Sequence, residues 1–199
     1  MLKLRKGCRV PFPEMLSEGY EYRELRYIAN INADKIEMLL AHFIAIHDEP
    51  LFFILELPSK QCDETEIHPG IVSTLHKDVY YIDGCTQEEA LAILSRTSDL
   101  MINDGLCSFG FGGHESKDEI IVGKYNAVSV YTLNKDTFDG FFEEHGIKAV
   151  ERLTTAPETF TQDSPGEAFS VTTDVKSVYD IPDDFKDFGM YFAEQREED

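Results

Sequence analysis

Three groups of residues carry side chains that could do chemistry. The first is Ser108-Phe109-Gly110-Phe111-Gly112-Gly113-His114-Glu115-Ser116, where glycines stand beside an imidazole and a carboxylate. Glycine allows positive φ or close backbone approach. A phosphate loop needs a strand, then glycines, then a helix whose N-terminus meets the anion. Here Lys117-Asp118-Glu119-Ile120-Ile121-Val122 follows, which reads as a strand, and no G-K-[ST] occurs. That order speaks against nucleotide binding. The stretch is expected to be a glycine-rich strand end and hairpin loop. Alternatively, it is an exposed loop that offers His114, Glu115, Asp118 and Glu119 to a partner or ligand.

The second group is the cysteines, Cys8, Cys62, Cys85 and Cys107. Cys85 lies between Gly84 and Thr86, at a predicted helix start, where the positive end of the helix dipole favours a thiolate. Glu88 and Glu89 in the same turn oppose that effect. No two cysteines form C-x-x-C. The pairs Cys62/His68 and Cys107/His114 miss the spacing of closed zinc sites, and His42/His47 has no C-x₂₋₄-C pair to complete one. No metal and no cofactor are expected. No G-x-S-x-G occurs, so serine hydrolase chemistry has no support.

The third group is the carboxylates. The chain carries 38 Asp and Glu against 18 Lys and Arg over 199 residues, a formal charge of −20. Such a surplus opposes binding to a phosphate backbone or an anionic leaflet, because both recruit Lys and Arg. It favours encounter with basic proteins. Clusters occur at Asp48-Glu49, Asp63-Glu64-Glu66, Glu115 with Asp118-Glu119, and Asp183-Asp184-Asp187. Meeting on one face, two or more would form a negative patch that speeds encounter with a cationic partner. Dispersed, they would only keep the protein soluble.

The elements that must place these residues follow from periodicity. Residues 1–19 read as an irregular arm, basic at Lys3, Arg5, Lys6 and Arg9 and interrupted by Pro11 and Pro13. Val10, Phe12, Met15 and Leu16 give it apolar groups to bury. Tyr20 to Ile28 reads as one strand, and Asn32 as the cap of a helix with Ile36, Leu39, Leu40, Phe43 and Ile44 on one face. Pro50 ends that helix. Leu51 to Leu57 is apolar on both faces, as a central strand is. Val79 to Ile82 is a strand. Thr86-Gln87-Glu88-Glu89 is a capping box, opening a helix that buries Ala90, Leu91, Leu94 and Met101. Leu106–Phe111, Glu119–Val122 and Ala127–Leu133 are strands, the last two joined across Gly123–Asn126 as a hairpin. Asn134 caps a short helix burying Phe138, Phe141 and Phe142. Ser164-Pro165-Gly166 is a turn, and Ala168 to Thr172 reads as a strand. Phe185, Phe188 and Phe192 have helical spacing, and 194–199 reads as a frayed tail.

The predicted fold is therefore α+β over a single domain, residues 1–199. It has one mixed or mostly antiparallel sheet with three to four helices packed on it. Tyr20–Leu57 and Val79–Phe111 both read strand–helix–strand, the pattern of an internal duplication. The longest apolar run is about five residues, against roughly 20 for a membrane span. No secretory apolar run follows Met1–Lys6. A cytoplasmic protein with reduced thiols is expected.

Over Asp104-Gly105, Ser108–Gly112, Asp118-Glu119-Ile120 and Gly123–Asn126 the chain resembles uncharacterised bacterial α+β proteins that are similar to immunity proteins of polymorphic toxin systems. The resemblance covers about 25 residues and supplies no catalytic residue. It implies a protein that binds and blocks a toxin. The expected function is a non-catalytic protein-binding module. Its partner would be a basic protein such as a nuclease toxin, with neither nucleic acid nor membrane as a target. The expected partner-binding residues are His114, Glu115, Asp118, Glu119, Asp48 and Glu49, with Tyr125 as an aromatic anchor. The alternative is a small enzyme or ligand-binding domain with a pocket near the 110–115 glycine loop, using His114 and Cys85.

Overall fold

A computed structural model describes residues 1–69, 71–72 and 75–198. In chain order the strands and helices are β1 (Cys8–Arg9), β2 (Gly19–Arg23), β3 (Arg26–Asn30), α1 (Ile36–Ile46), β4 (Leu51–Pro58), β5 (Glu66–His68), β6 (Ile71–Val72), β7 (His76–Cys85) and α2 (Gln87–Asn103). They continue as β8 (Ser108–Gly113), β9 (Glu119–Val122), β10 (Ala127–Tyr131), α3 (Asp139–Glu144), β11 (Glu167–Ala168), α4 (Ile181–Asp184) and β12 (Tyr191–Glu197). Eight strands form one sheet in the order β12-β7-β4-β8-β9-β10-β3-β2. Every ladder between neighbours in it is antiparallel. The fold is α+β, as the periodicities require.

The core forms between one face of this sheet and the helices. Registers Phe53↔Phe111, Leu55↔Phe109, Phe109↔Val122 and Phe111↔Ile120 line up fully buried side chains across β4, β8 and β9. Leu39, Leu40 and Phe43 of α1 and Ala90 and Leu94 of α2 belong to the same cluster. Leu91 does not; it is an exposed residue of α2, and Ile93 takes the inward place. The α2 capping box is present: Thr86 Oγ1 accepts from the Glu89 amide at 3.1 Å, and the Glu89 carboxylate accepts from the Thr86 amide at 2.8 Å.

Both strand–helix–strand units exist and both join parallel strands. The unit β3-α1-β4 passes over β10, β9 and β8, whereas β7-α2-β8 passes over β4 alone. The two therefore make different sheet connections despite their similar sequence pattern.

Four expectations need correction. The strand expected over Tyr20–Ile28 is a hairpin, because Glu24 and Leu25 turn the chain with φ of 52° and 62°. These residue types rarely mark such a turn. The helix expected to carry Phe185, Phe188 and Phe192 is one turn, α4; Gly189, with φ of 90°, ends the following short turn. Phe192 and residues 194–197 of the stretch read as a frayed tail instead lie in β12, which pairs with β7, while Asp199 lies outside the described residues. Asn32 does not cap a helix with its side chain; its Oδ1 accepts from the Lys3 amide at 2.8 Å.

The arm of residues 1–19 is tied down. Leu2, Cys8 and Leu16 bury with Tyr125 and Ala156 in a second small core, and β1 pairs with β11. That leaves the predicted strand over 168–172 only two residues long, Glu167–Ala168.

Candidate functional site

The sheet's second face, opposite α1 and α2, positions the residues of interest. Registers Phe52↔Gly112 and Gly112↔Glu119 place these three in one row across β4, β8 and β9. A Cβ on Gly112 would lie 2.1 Å from the Phe52 ring, so the ring occupies the space above that glycine. Gly110 abuts the neighbouring strand, where a Cβ would lie 1.8 Å from the Ile120 oxygen. The glycines of β8 thus serve close packing.

From Phe52 an aromatic row crosses the sheet. Phe52 meets His114 edge-on at 5.4 Å and Tyr81 at 5.8 Å; Tyr81 stacks with Tyr191 of the edge strand β12 at 6.3 Å. Tyr191 is 48% exposed. Beside the row, the Glu56 carboxylate accepts from Lys77 Nζ at 2.9 Å and from Arg196 Nη1 at 3.3 Å. Glu119 shares this face, and burial together with the nearby Glu56 charge raises its carboxyl above the usual range, against the pull of Arg196. A cleft of about 520 Å³ opens at the lower part of this face, lined by Glu56, Lys77, Lys124 and Glu198 among others. Lys124 and Glu198 form an ion pair across it.

The acidic residues gather at the end of the sheet where β4 begins, β7 ends and β8 ends. Registers Leu51↔Cys85 and Leu51↔Gly113 bring these three points together. Asp48 and Glu49 precede β4, Asp83 lies near the end of β7, Glu88 and Glu89 open α2, and Glu115 sits in the β8–β9 loop. All six are exposed, and Lys117 is the only Lys or Arg in segments 47–50, 83–89 and 114–118. Glu49 accepts from the Gln87 amide at 2.7 Å, so it also holds the first turn of α2. Two of the sequence clusters, Asp48-Glu49 and Glu115, thus meet. Asp63 and Asp183 lie elsewhere and line a separate cavity with Asp78 and Lys60.

The expected site residues divide accordingly. His114 and Glu115 are exposed, and His114 Nε2 pairs with Asp83 Oδ1 at 2.5 Å. Asp118 is buried; its Oδ2 lies 3.0 Å from His47 Nε2, and His47 Nδ1 lies 2.7 Å from the Phe43 oxygen. Asp118 is a loop-positioning residue, not a contact surface. Tyr125 is not a surface anchor: it is 9% exposed, has φ of 57° and packs edge-on against Phe160.

Sequence reasoning missed Phe52, Tyr81, Tyr191 and Asp83. Each is unremarkable in its own segment, and only strand register aligns them. Cys85 is 3% exposed, and burial with the Glu89 and Asp83 charges pushes its thiol up to about 11. That opposes a role as a nucleophile at neutral pH. Among the described residues no group of three or more His, Cys, Asp or Glu is placed to hold a metal ion, and no helix is long and apolar enough to cross a membrane. Comparison of the chain with protein-family models, curated proteins and solved structures finds no match.

Proposed function

We propose that this chain is a non-catalytic protein-binding module that docks a basic partner, in the manner of an immunity protein blocking a nuclease toxin. The observation that carries this reading is the junction of two features. A row of aromatic side chains on an open sheet face ends at a rim of six exposed carboxylates. Aromatic groups in a buried interface centre supply most binding energy. Carboxylates around them steer a cationic partner and raise the association rate. Occlusion requires no chemistry from the chain, which fits a Cys85 thiol held protonated and glycines used for packing.

Asp48, Glu49, Asp83, Glu88, Glu89 and Glu115 form the rim, with His114 paired to Asp83; Phe52, Tyr81 and Tyr191 form the row. Calorimetry of the full chain against the protein encoded by the neighbouring gene tests the proposal. Binding is expected, weakening as salt rises from 50 to 300 mM. The double variant Asp48→Lys/Glu115→Lys should slow association about tenfold or more, and Tyr191→Ala should speed dissociation. Absence of binding to any genomic neighbour, with turnover of a small molecule, would reject it.

A further inference from the structure

A cavity of about 270 Å³ lies between the end of β7, α2 and the turn that follows α4. Pockets for drug-sized ligands measure roughly 300–1,000 Å³, so this cavity suits something smaller. Ile82, Cys85 and Ile93 line it as buried residues, and Phe185 and Phe188 add aromatic surface. Phe188 is 59% exposed. A ring so placed covers little of the protein's own core.

The charges of this cavity are separated. Asp83, near the end of β7, and Glu89, in the first turn of α2, lie at one end. Their field reaches inside, since both raise the Cys85 thiol. Arg96 lies seven residues beyond Glu89, about 10.5 Å along the helix at 1.5 Å per residue. The Arg96 guanidinium stands 5.0 Å from the centroids of both Phe185 and Phe188. Among the described residues it makes no ion pair. The aromatic rings hold it in place and leave its N–H groups free for an anion.

We infer that this cavity is a binding site for a small zwitterion of about dipeptide size. The ammonium would face Asp83 and Glu89, the carboxylate Arg96, and an apolar side chain the Ile82–Ile93 lining. Asp83 and Glu89 also belong to the rim proposed above, but the site needs no protein partner, so either reading can fail without the other. A cation and a pair of carboxylates at opposite exposed ends of an apolar lining are the complement of such a ligand, whereas a singly charged ligand leaves one pole unanswered.

The test uses three probes on the full chain: the dipeptide Ala-Phe, its C-terminal amide and its N-acetyl form. Amide chemical shifts in ¹H–¹⁵N spectra report the site and the affinity. The free dipeptide should shift resonances of residues 82–96 and 185–188. The amide and the N-acetyl form should each bind about tenfold more weakly, the effect of one charge-assisted hydrogen bond. Arg96→Met keeps an apolar stem over the rings and should make the free dipeptide and its amide bind alike. Ala92→Phe, at an exposed position of α2 on the cavity wall, should abolish the shifts while the remaining spectrum stays native. Equal binding of all three probes, or no shift of these residues by the free dipeptide, would overturn the proposal.

Discussion

His42 and Arg5 show how single side chains set the behaviour of this protein. His42 on α1 packs against Phe138 and Phe141, and its Nε2 is buried without a hydrogen-bond partner. Burial first, and then the His145 and His47 charges, lower its pKa below the ordinary 6.5. The folded state therefore resists a proton that the unfolded chain accepts. The packing is fully stabilising above pH 6.5, and stability is lost as pH falls below it. Urea unfolding of the wild type and of His42→Phe from pH 8 to 5 should show the variant gaining relative stability below pH 6.5. Arg5 is 1% exposed; Nη2 donates to the Cys107 oxygen at 3.2 Å, while Nε and Nη1 are unpartnered. A buried guanidinium so poorly compensated costs stability. Arg5→Met should stabilise the fold by about 1 kcal/mol or more, read from the shift in urea midpoint at unchanged slope.

At the scale of elements, glycines divide by what lies beside them. Gly110 of β8 meets the Ile120 oxygen of β9, a backbone atom that cannot swing away. Gly110→Ala should destabilise by about 3 kcal/mol through overpacking. Gly140 in α3 has nothing within 4 Å of a Cβ, so Gly140→Ala should stabilise by up to about 1 kcal/mol from helix propensity. Thermal unfolding of the two variants beside the wild type separates the cases. The helices α1 and α2 and the central strand β4 were legible because each carries its own signal: period-3.6 apolar spacing, a capping box, and an apolar run closed by Pro58. The β2–β3 turn was not. Glu24 and Leu25 adopt positive φ because the hairpin's ladder on both sides stabilises it, and nothing in their residue types announces that. The short α4 and the strand β12 were misread together, since Phe185, Phe188 and Phe192 have helical spacing although only Phe185 is buried.

At the scale of the whole molecule, β12 closes one edge of the eight-stranded sheet. Tyr191↔Tyr81 and Phe192↔Tyr80 pair its start with β7. Gln195 Nε2 donates to Asp63 O at 2.8 Å and to Asp78 Oδ1 at 3.1 Å, fixing its far half. Ending the chain at Met190 would leave β7 as an open edge, with Val79 and Tyr80 losing their cover. The truncated protein should unfold at lower urea and self-associate, as light scattering would show. The same strand supplies Tyr191 to the aromatic row, so the truncation should also weaken docking of a basic partner.

From residue order alone came the α+β class, both long helices, the strands of the middle of the sheet and the acidic character. These depend on neighbours three or four positions apart, or on total charge, and are present in any local window. The tertiary structure alone decided which residues stand together. It moved Tyr125 and Asp118 inside, split the carboxylate clusters between two regions, and aligned Phe52, Tyr81 and Tyr191 into one row. Strand order and register couple positions more than a hundred residues apart, and a single slip of register moves every side chain to the opposite face.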